Sequence, residues 1–424
     1  MIPDNKNKKN SAILFILFTL LFSIFFILWM VLFIKNPEGS QRGVFLTDSN
    51  DWFMDWFNVV YYSIGKKPYT WGLIEERSLP PLTFFLLYPF SWLYPYDITG
   101  WIEGESRYTA RYSQLPIVFA TIIFLISYLL LFYSLSKNCR TKSEASRLIL
   151  FSILFFSGVN LFCIERGNLQ VITAAAVFLY IYLCYRSDNS SKIINAVGIF
   201  CLAFAASIKL FPAIAGVLLL YKKRWRQALF SFITGLILFF IPFLWMDQPF
   251  PDAVRDFFIA INRHAESYRT IADFGLSTPV IMKLTHVSYN TLQIIAYCLA
   301  VIALSFAWLL DSEWKRIMLV TLVLVLTSGQ QGYYCLMFLF LPILMFFDEE
   351  HSLIDAYYVL LFVILLSPLQ RTVNIRGAEI SSRTVINFAL ILLYIVLLAQ
   401  ACQLAYLKAK EAIYKERGGT HDET

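Results

Sequence analysis

The sequence predicts an all-α polytopic membrane protein, and three observations predict it. Of its 424 residues, 58% are hydrophobic and only 15% are charged, whereas about a quarter of the residues in soluble domains are charged. Its mean hydropathy is +0.62. Apolar runs recur along the whole chain, many near the roughly 17–25 residues that a helix needs to cross a bilayer, and the short links between them carry most of the basic residues.

The runs fall near 11–34, 116–136, 146–163, 169–185, 193–208, 210–221, 227–246, 289–309, 315–328, 332–347, 353–367 and 384–407, which makes 12 candidate transmembrane helices. The first follows Lys6, Lys8 and Lys9. It is too long for a signal-peptide core and lacks a small-residue cleavage site, so it reads as a retained span with residues 1–10 in the cytoplasm. Basic stretches occur at 137–142, 222–226 and 315–316 and in the tail 408–424. Placing all four inside satisfies the positive-inside rule. A single membrane domain then covers 11–407, with a first outer loop at 35–115 and a second large outer loop at 247–288.

That topology makes two demands. The apolar stretch Pro81 to Tyr96 must not cross, and its Pro81, Pro89 and Pro95 disfavour a clean helix. It is expected to be juxtamembrane or re-entrant, with a further span as the alternative. Residues 193–221 must form a hairpin broken at Lys209-Leu-Phe-Pro212, which keeps Lys222–Arg226 inside and places Lys209 at the outer surface.

The net charge of +6 is accounted for by these loops and calls for no nucleic acid. The seven cysteines show no Cys-x-x-Cys spacing and the four histidines form no ligand cluster, so neither a disulfide framework nor a zinc site is signalled.

The densest chemistry follows the first run: Asp51-Trp52-Phe53-Met54-Asp55-Trp56-Phe57-Asn58, then Gly65-Lys-Lys-Pro68-Tyr69, then Leu79-Pro-Pro-Leu82. On a helix, the spacing of Asp51 and Asp55 puts both carboxylates on one face. An acidic pair at a membrane surface is costly unless it binds or catalyses. Asp51, after Ser49 and Asn50, also suits a helix cap, and the aromatics also suit an interfacial belt. A second group, Glu165-Arg166-Gly167-Asn168 with Gln170, joins two apolar runs with almost no loop. It reads either as a local ion pair worth little or as an arginine and amides arranged for a phosphate or a sugar. Lys209, between two short apolar arms, either snorkels or shares an anion with Arg166. In the 247–288 loop, Arg255, Arg263, His264 and Arg269 run against the topology rule, or else form the wet face of an amphipathic helix. Ser328 to Tyr334 is a weaker signal for a polar pocket.

Carboxylates for proton removal and cations for an anion, all on the outer side, fit the transfer of a sugar from a lipid phosphate. A carboxylate takes the hydroxyl proton late, as the new bond forms, and positive charge stabilises the departing phosphate.

The ordered set Asp55, Tyr61, Gly65, Pro68, Tyr69, Pro80, Pro81, Leu82, Arg166, Gly167, Asn168, Lys209 and Pro212, spread over about 45–225, resembles glycosyltransferase family 87. That resemblance implies a GT-C-type helical bundle and an inverting, metal-independent transferase with no cofactor. Its catalytic aspartate lies in the first extracytoplasmic loop. Carried onto this chain, the general base is Asp55. Asp51 is the fallback, because the step from Asp55 to Tyr61 and Tyr62 is slightly longer than the family pattern. Asn168 stands where the family's Arg-Gly-Gln has its amide. Arg166 and Lys209 are expected to bind the donor phosphate, helped by Arg263 or His264. Trp52, Trp56, Tyr61, Tyr69 and Trp71 are expected to offer sugar-stacking faces, with Glu165 and Asn168 also contacting substrate. The implied partners are a polyprenyl-phosphate-linked hexose such as mannose, a glycolipid or polysaccharide acceptor, and the lipid bilayer. The implied place is the cytoplasmic (plasma) membrane, with the active site on the extracytoplasmic side. A transporter or lipid flippase would use similar buried charges, but no paired broken helices in two matching halves are visible. A polysaccharide polymerase or ligase would draw on large outer loops rich in arginine and histidine, which keeps 247–288 in view for that alternative.

Overall fold

The computed structural model describes residues 5–35, 46, 52–70, 77–96, 105–141, 143–187, 191–269, 272–327, 332–369, 372–375 and 378–418. Among these residues the regular structure is helical except for one antiparallel hairpin. It joins Thr372–Ile375 to Ala378–Ser381, with Thr372 opposite Ser381. Thr372, Val373 and Ile375 favour extended backbone, so the all-α expectation holds apart from this short link.

Among the described residues, five helices are long and apolar enough to cross a membrane: Lys6–Lys35, Gln114–Asn138, Trp225–Trp245, Tyr289–Leu309 and Ser382–Ala412. Glu144–Phe155 and Gly158–Arg166 make a sixth if the pair, bent by 52°, counts as one span. The bend is built into the sequence. The Ser157 hydroxyl oxygen accepts the Asn160 N–H at 3.3 Å, capping the second helix, and Asn160 Nδ2 donates to the Phe155 carbonyl at 2.8 Å. Backbone groups freed by the kink are thus satisfied, as a lipid environment requires. Shorter apolar helices of 10–17 residues include Gln170–Tyr185, Lys192–Ile208, Phe211–Tyr221, Tyr333–Phe346 and Leu353–Leu366.

Polar contacts define two opposite poles. At one, Arg140 N–H and the Thr141 hydroxyl donate to the Asp348 carboxylate at 2.8 and 2.6 Å. There Arg186 pairs with Glu313 at 3.1 Å, and Arg224 donates to the Cys184 and Ser187 carbonyls. Lys222 stands 4.9 Å from the Tyr185 ring centre, Arg316 donates to the Tyr185 hydroxyl at 3.3 Å, and Lys408 lies 5.1 Å from the Trp308 ring. All four basic stretches therefore contribute to this pole, as the positive-inside pattern expects. At the other pole Lys209 meets Asn168, Arg383 meets Asp273, and Asn387 exchanges two hydrogen bonds with the Gly275 backbone.

Residues 192–221 meet the demand for a hairpin. Lys192–Ile208 ends at Lys209, which has extended backbone, and Phe211–Gly216 starts the return as a 3-10 turn with Pro212 in its first turn. Lys222 is thereby brought back to the basic pole. The stretch after Pro80 is a seven-residue α-helix, Pro81–Leu87, followed by a six-residue 3-10 helix, Tyr88–Leu93. At about 1.5 and 2.0 Å per residue it reaches roughly 22 Å, short of the roughly 30 Å apolar core of a bilayer. The Thr83 hydroxyl donates to the Ile208 carbonyl beside Lys209, and Tyr88 packs on Trp245 at 4.9 Å. Thr83 and Tyr88 therefore both lie near the pole that carries Lys209.

The centre of the bundle is Glu313–Leu326 with Tyr333–Phe346. Ile317 to Leu326 and Cys335 to Phe346 are buried throughout, the mark of helices apolar on every side and enclosed by others. Outward-facing Ile16, Leu20, Ile24, Leu129, Phe232 and Leu244 remain exposed, as lipid-facing positions do. Small residues let backbones approach where no hydrophobic effect drives them together. A Cβ on Gly198 would sit 2.8 Å from the Cys184 Cβ.

Candidate functional site

The helix that carries Asp55 runs Met54–Ser63. Its N-cap is Phe53, in left-handed backbone (φ 57°) with no side-chain cap. The helix begins at Met54 with Phe53 at its N-cap; Asp51, expected to cap it or to share a face with Asp55, lies outside the described residues. Phe53 is instead anchored by its neighbour in space: its N–H donates to the Glu165 carbonyl at 2.8 Å.

Glu165 and Arg166 end the helix Gly158–Arg166. Gly167, at φ 61°, takes the left-handed C′ position, with its N–H on the Ile164 carbonyl (3.1 Å) and the Asn168 N–H on the Cys163 carbonyl (3.2 Å). That is a Schellman stop. It turns the chain sharply enough that Arg166 and Asn168 both project onto Asp55. Only glycine fits there, since a Cβ on Gly167 would lie 2.9 Å from the Phe53 Cα. Gly167→Ala is therefore expected to cost roughly 1–2 kcal/mol for the left-handed backbone alone. It should also lower activity by pushing the Asp55 helix away. A thermal-shift assay run beside a transfer assay checks both effects.

The side chains form one connected chain. Arg166 Nε and Nη2 donate to Asp55 Oδ1 at 2.9 and 2.6 Å. Asn168 Nδ2 donates to Asp55 Oδ2 at 2.5 Å. Asn168 Oδ1 accepts from Lys209 Nζ at 3.0 Å and from the Gln170 N–H at 2.9 Å. Lys209 is 7% exposed and stands 4.4 Å from the Tyr334 ring centre. It lies in the break between two helices, and burial lowers its ammonium to about 8, against the opposing pull of Asp55. Tyr334 stacks on Phe162 at 5.9 Å, and the Arg383 guanidinium lies 5.2 Å from that second ring. Gly332 allows this, because a Cβ there would strike the Tyr334 ring at 2.7 Å.

The other expected site residues divide. Glu165 is buried and accepts the Leu46 N–H. Trp52 is 46% exposed and Tyr61 half-buried, so both keep surface for a ligand. Trp56, 1% exposed, is wedged against Phe90 and Phe124. Tyr69, 8% exposed, packs on Phe84, Phe243 and Phe257 and donates its hydroxyl to the Leu79 carbonyl. Neither ring has a face open to a sugar, because packing occupies it. Trp71 lies outside the described residues. Arg263 and His264 lie on Phe250–Tyr268, whose buried Phe257 packs on Tyr69. Among the described contacts neither Arg263 nor His264 reaches Asp55.

Sequence reasoning missed Phe162, Asp273 and Arg383, and it gave Tyr334 little weight. The signal available for Tyr334 was the run of small and amide residues from Ser328 to Tyr334. Among the described residues, no three His, Cys, Asp or Glu side chains gather as a metal site would require.

A family model described as glycosyltransferase family 87 matches residues 79–342. The match spans Arg166, Asn168, Lys209 and Tyr334, and begins after the Asp55 helix. No curated protein and no solved structure matches the chain.

Proposed function

The chain belongs to glycosyltransferase family 87, and on that premise we propose that it moves a hexose from a polyprenyl-phosphate donor to a hydroxyl of a glycolipid or cell-surface polysaccharide, with Asp55 as general base. One observation carries this reading. A carboxylate, a guanidinium, an amide and a buried ammonium from three separate segments form one continuous hydrogen-bonded cluster at the pole opposite the basic loops. With the basic pole in the cytoplasm, the cluster faces outward. Counting the shorter pole-to-pole helices with the longer ones supports about a dozen passes and a GT-C-type bundle, and Pro81–Leu93 stays on the outer side.

In the reaction, the acceptor oxygen attacks C1 of the hexose from the face opposite the phosphate. Its proton passes to Asp55 as the C–O bond forms, the C1–O bond to phosphate breaks, and the anomeric centre inverts. Arg166 sets Nε and Nη2 on Asp55, which holds its positive charge beside the base, where it stabilises the departing phosphate. Lys209 supplies a second positive charge. Asn168 fixes the orientation of the Asp55 carboxyl and relays its position to Lys209. Low solvent access strengthens each of these interactions.

Two tests follow. Purified protein given a labelled polyprenyl-phosphate hexose and a donor and acceptor screen is expected to release polyprenyl phosphate. Consumption of a nucleotide sugar with no use of any polyprenyl donor would refute the proposal. For pH, Lys209 carries its proton below about 8 and loses it above. Donor kcat/KM is therefore expected to fall as pH rises through that value, and Lys209→Arg, which stays protonated, should abolish the decline. An unchanged alkaline limb in Lys209→Arg would remove Lys209 from donor binding.

A further inference from the structure

Two buried carboxamides adjoin the Asp55 cluster without a task in it. Gln170 is 0% exposed and opens the helix Gln170–Tyr180. Its backbone N–H and the Lys209 ammonium meet on one oxygen, Asn168 Oδ1, at 2.9 and 3.0 Å. Its side-chain Oε1 and Nε2 both have no hydrogen-bond partner among the described residues. Asn58 is 4% exposed, and its Oδ1 is open in the same way. It follows Asp55 by three residues on one helical face, about 4.5 Å further along the axis. One carboxamide thus adjoins the carboxylate of the cluster and the other its amide. Buried polar atoms left unpaired cost more stability than apolar groups of the same shape, so few are kept without a ligand or water to fill them. The chemistry of these two selects the ligand. The open oxygens of Asn58 and Gln170 need a hydrogen-bond donor, which a phosphodiester lacks and a hydroxyl supplies. Gln170 Nε2 needs an acceptor, and a hydroxyl is that as well. An apolar lipid chain satisfies neither.

We propose that Asn58 and Gln170 form a sugar subsite, in which their carboxamides bind hydroxyl groups of the transferred hexose and so select the sugar. The inference rests on the glycosyl-transfer reading of Asp55 and deepens it. With the donor phosphate at Arg166 and Lys209 and the accepting oxygen at Asp55, the hexose lies between the two. Gln170 adjoins the first of these places through Asn168, and Asn58 adjoins the second along its helix. A site built this way rejects a sugar that lacks the matching hydroxyl, because its own buried groups are then left unpaired. Both residues act by holding the sugar, and the proton transfer stays with Asp55.

The test uses farnesyl phosphate esterified to mannose, glucose or galactose, with farnesyl methyl phosphate as a control of equal charge that carries no sugar. Binding is measured to wild-type protein in phosphatidylcholine nanodiscs. At least one sugar ester is expected to bind more tightly than the methyl ester, by about tenfold or more. Gln170→Met and Asn58→Leu keep the size of the side chain and remove the carboxamide. Each should lose about tenfold on that sugar ester and bind the methyl ester as wild type does. Equal affinity of wild type for all the esters, a sugar preference that survives in both variants, or equal loss of sugar and methyl esters would overturn the inference. Thermal stability without ligand gives a second readout. Removing unpaired carboxamides should leave the melting temperature unchanged or raise it. A drop in both variants would mean that the carboxamides serve the fold through ordered water only, and would overturn the inference as well. Failure of wild type to transfer any of these hexoses, with the sugar preference intact, would count against the transferase reading alone.

Discussion

Asp55→Asn is expected to lower glycosyl transfer by about 10²–10⁴-fold, the usual worth of a positioned general base, while the protein still inserts and purifies as wild type does. Asparagine has nearly the same shape and keeps an oxygen for Arg166, so the Schellman turn and the Phe53 anchor persist. What is lost is the capacity to take a proton. Asp51→Asn, made alongside, should leave most of the activity. If Asp55→Asn remains active and Asp51→Asn does not, the base is Asp51, and the fold serves to hold the first outer loop rather than Asp55 itself.

Arg166→Ala is expected to have the second-largest effect, a loss of about 10²–10³-fold in kcat, as for removal of one preorganised donor from a developing negative charge. Arg166 is bonded to Asp55 through two nitrogens and follows the buried Glu165. Its removal therefore weakens both the hold on the departing phosphate and the orientation of the base. Arg166→Lys keeps the charge but not the planar fork, so it should recover only part of the loss. If Arg166→Lys matches wild type, the arginine acts only as a diffuse charge, and the two-nitrogen contact with Asp55 does not matter to turnover. Circular dichroism and thermal stability separate these effects from misfolding.

The membrane architecture was legible because lipid imposes simple rules. The four basic stretches converge on one pole, and the break at Lys209 appears where proline and lysine interrupt an apolar run. The core of the site was also legible. Asp55, Arg166, Asn168 and Lys209 are polar residues where apolar ones would cost less, and the structure gathers all four. Other features depended on tertiary packing that no local pattern encodes. Trp56 and Tyr69 have the composition of a sugar platform but are consumed by neighbouring rings. Tyr334 reaches Lys209 from more than a hundred residues away, and only the weak polar signal of Ser328 to Tyr334 marked the position. The helix start was not legible either: the left-handed Phe53 begins the helix at Met54, a backbone choice that no side-chain pattern encodes.

Sidedness tests the central claim most directly. Protein reconstituted into vesicles, with orientation set by protease access to the tail after Lys408, is supplied with a labelled polyprenyl-phosphate hexose in the bilayer and a membrane-impermeant acceptor outside. Transfer should occur only in vesicles whose tail points inward, and it should vanish in Asp55→Asn. Transfer to acceptor on the tail side would contradict an active site at the pole of Asp55, Arg166 and Lys209.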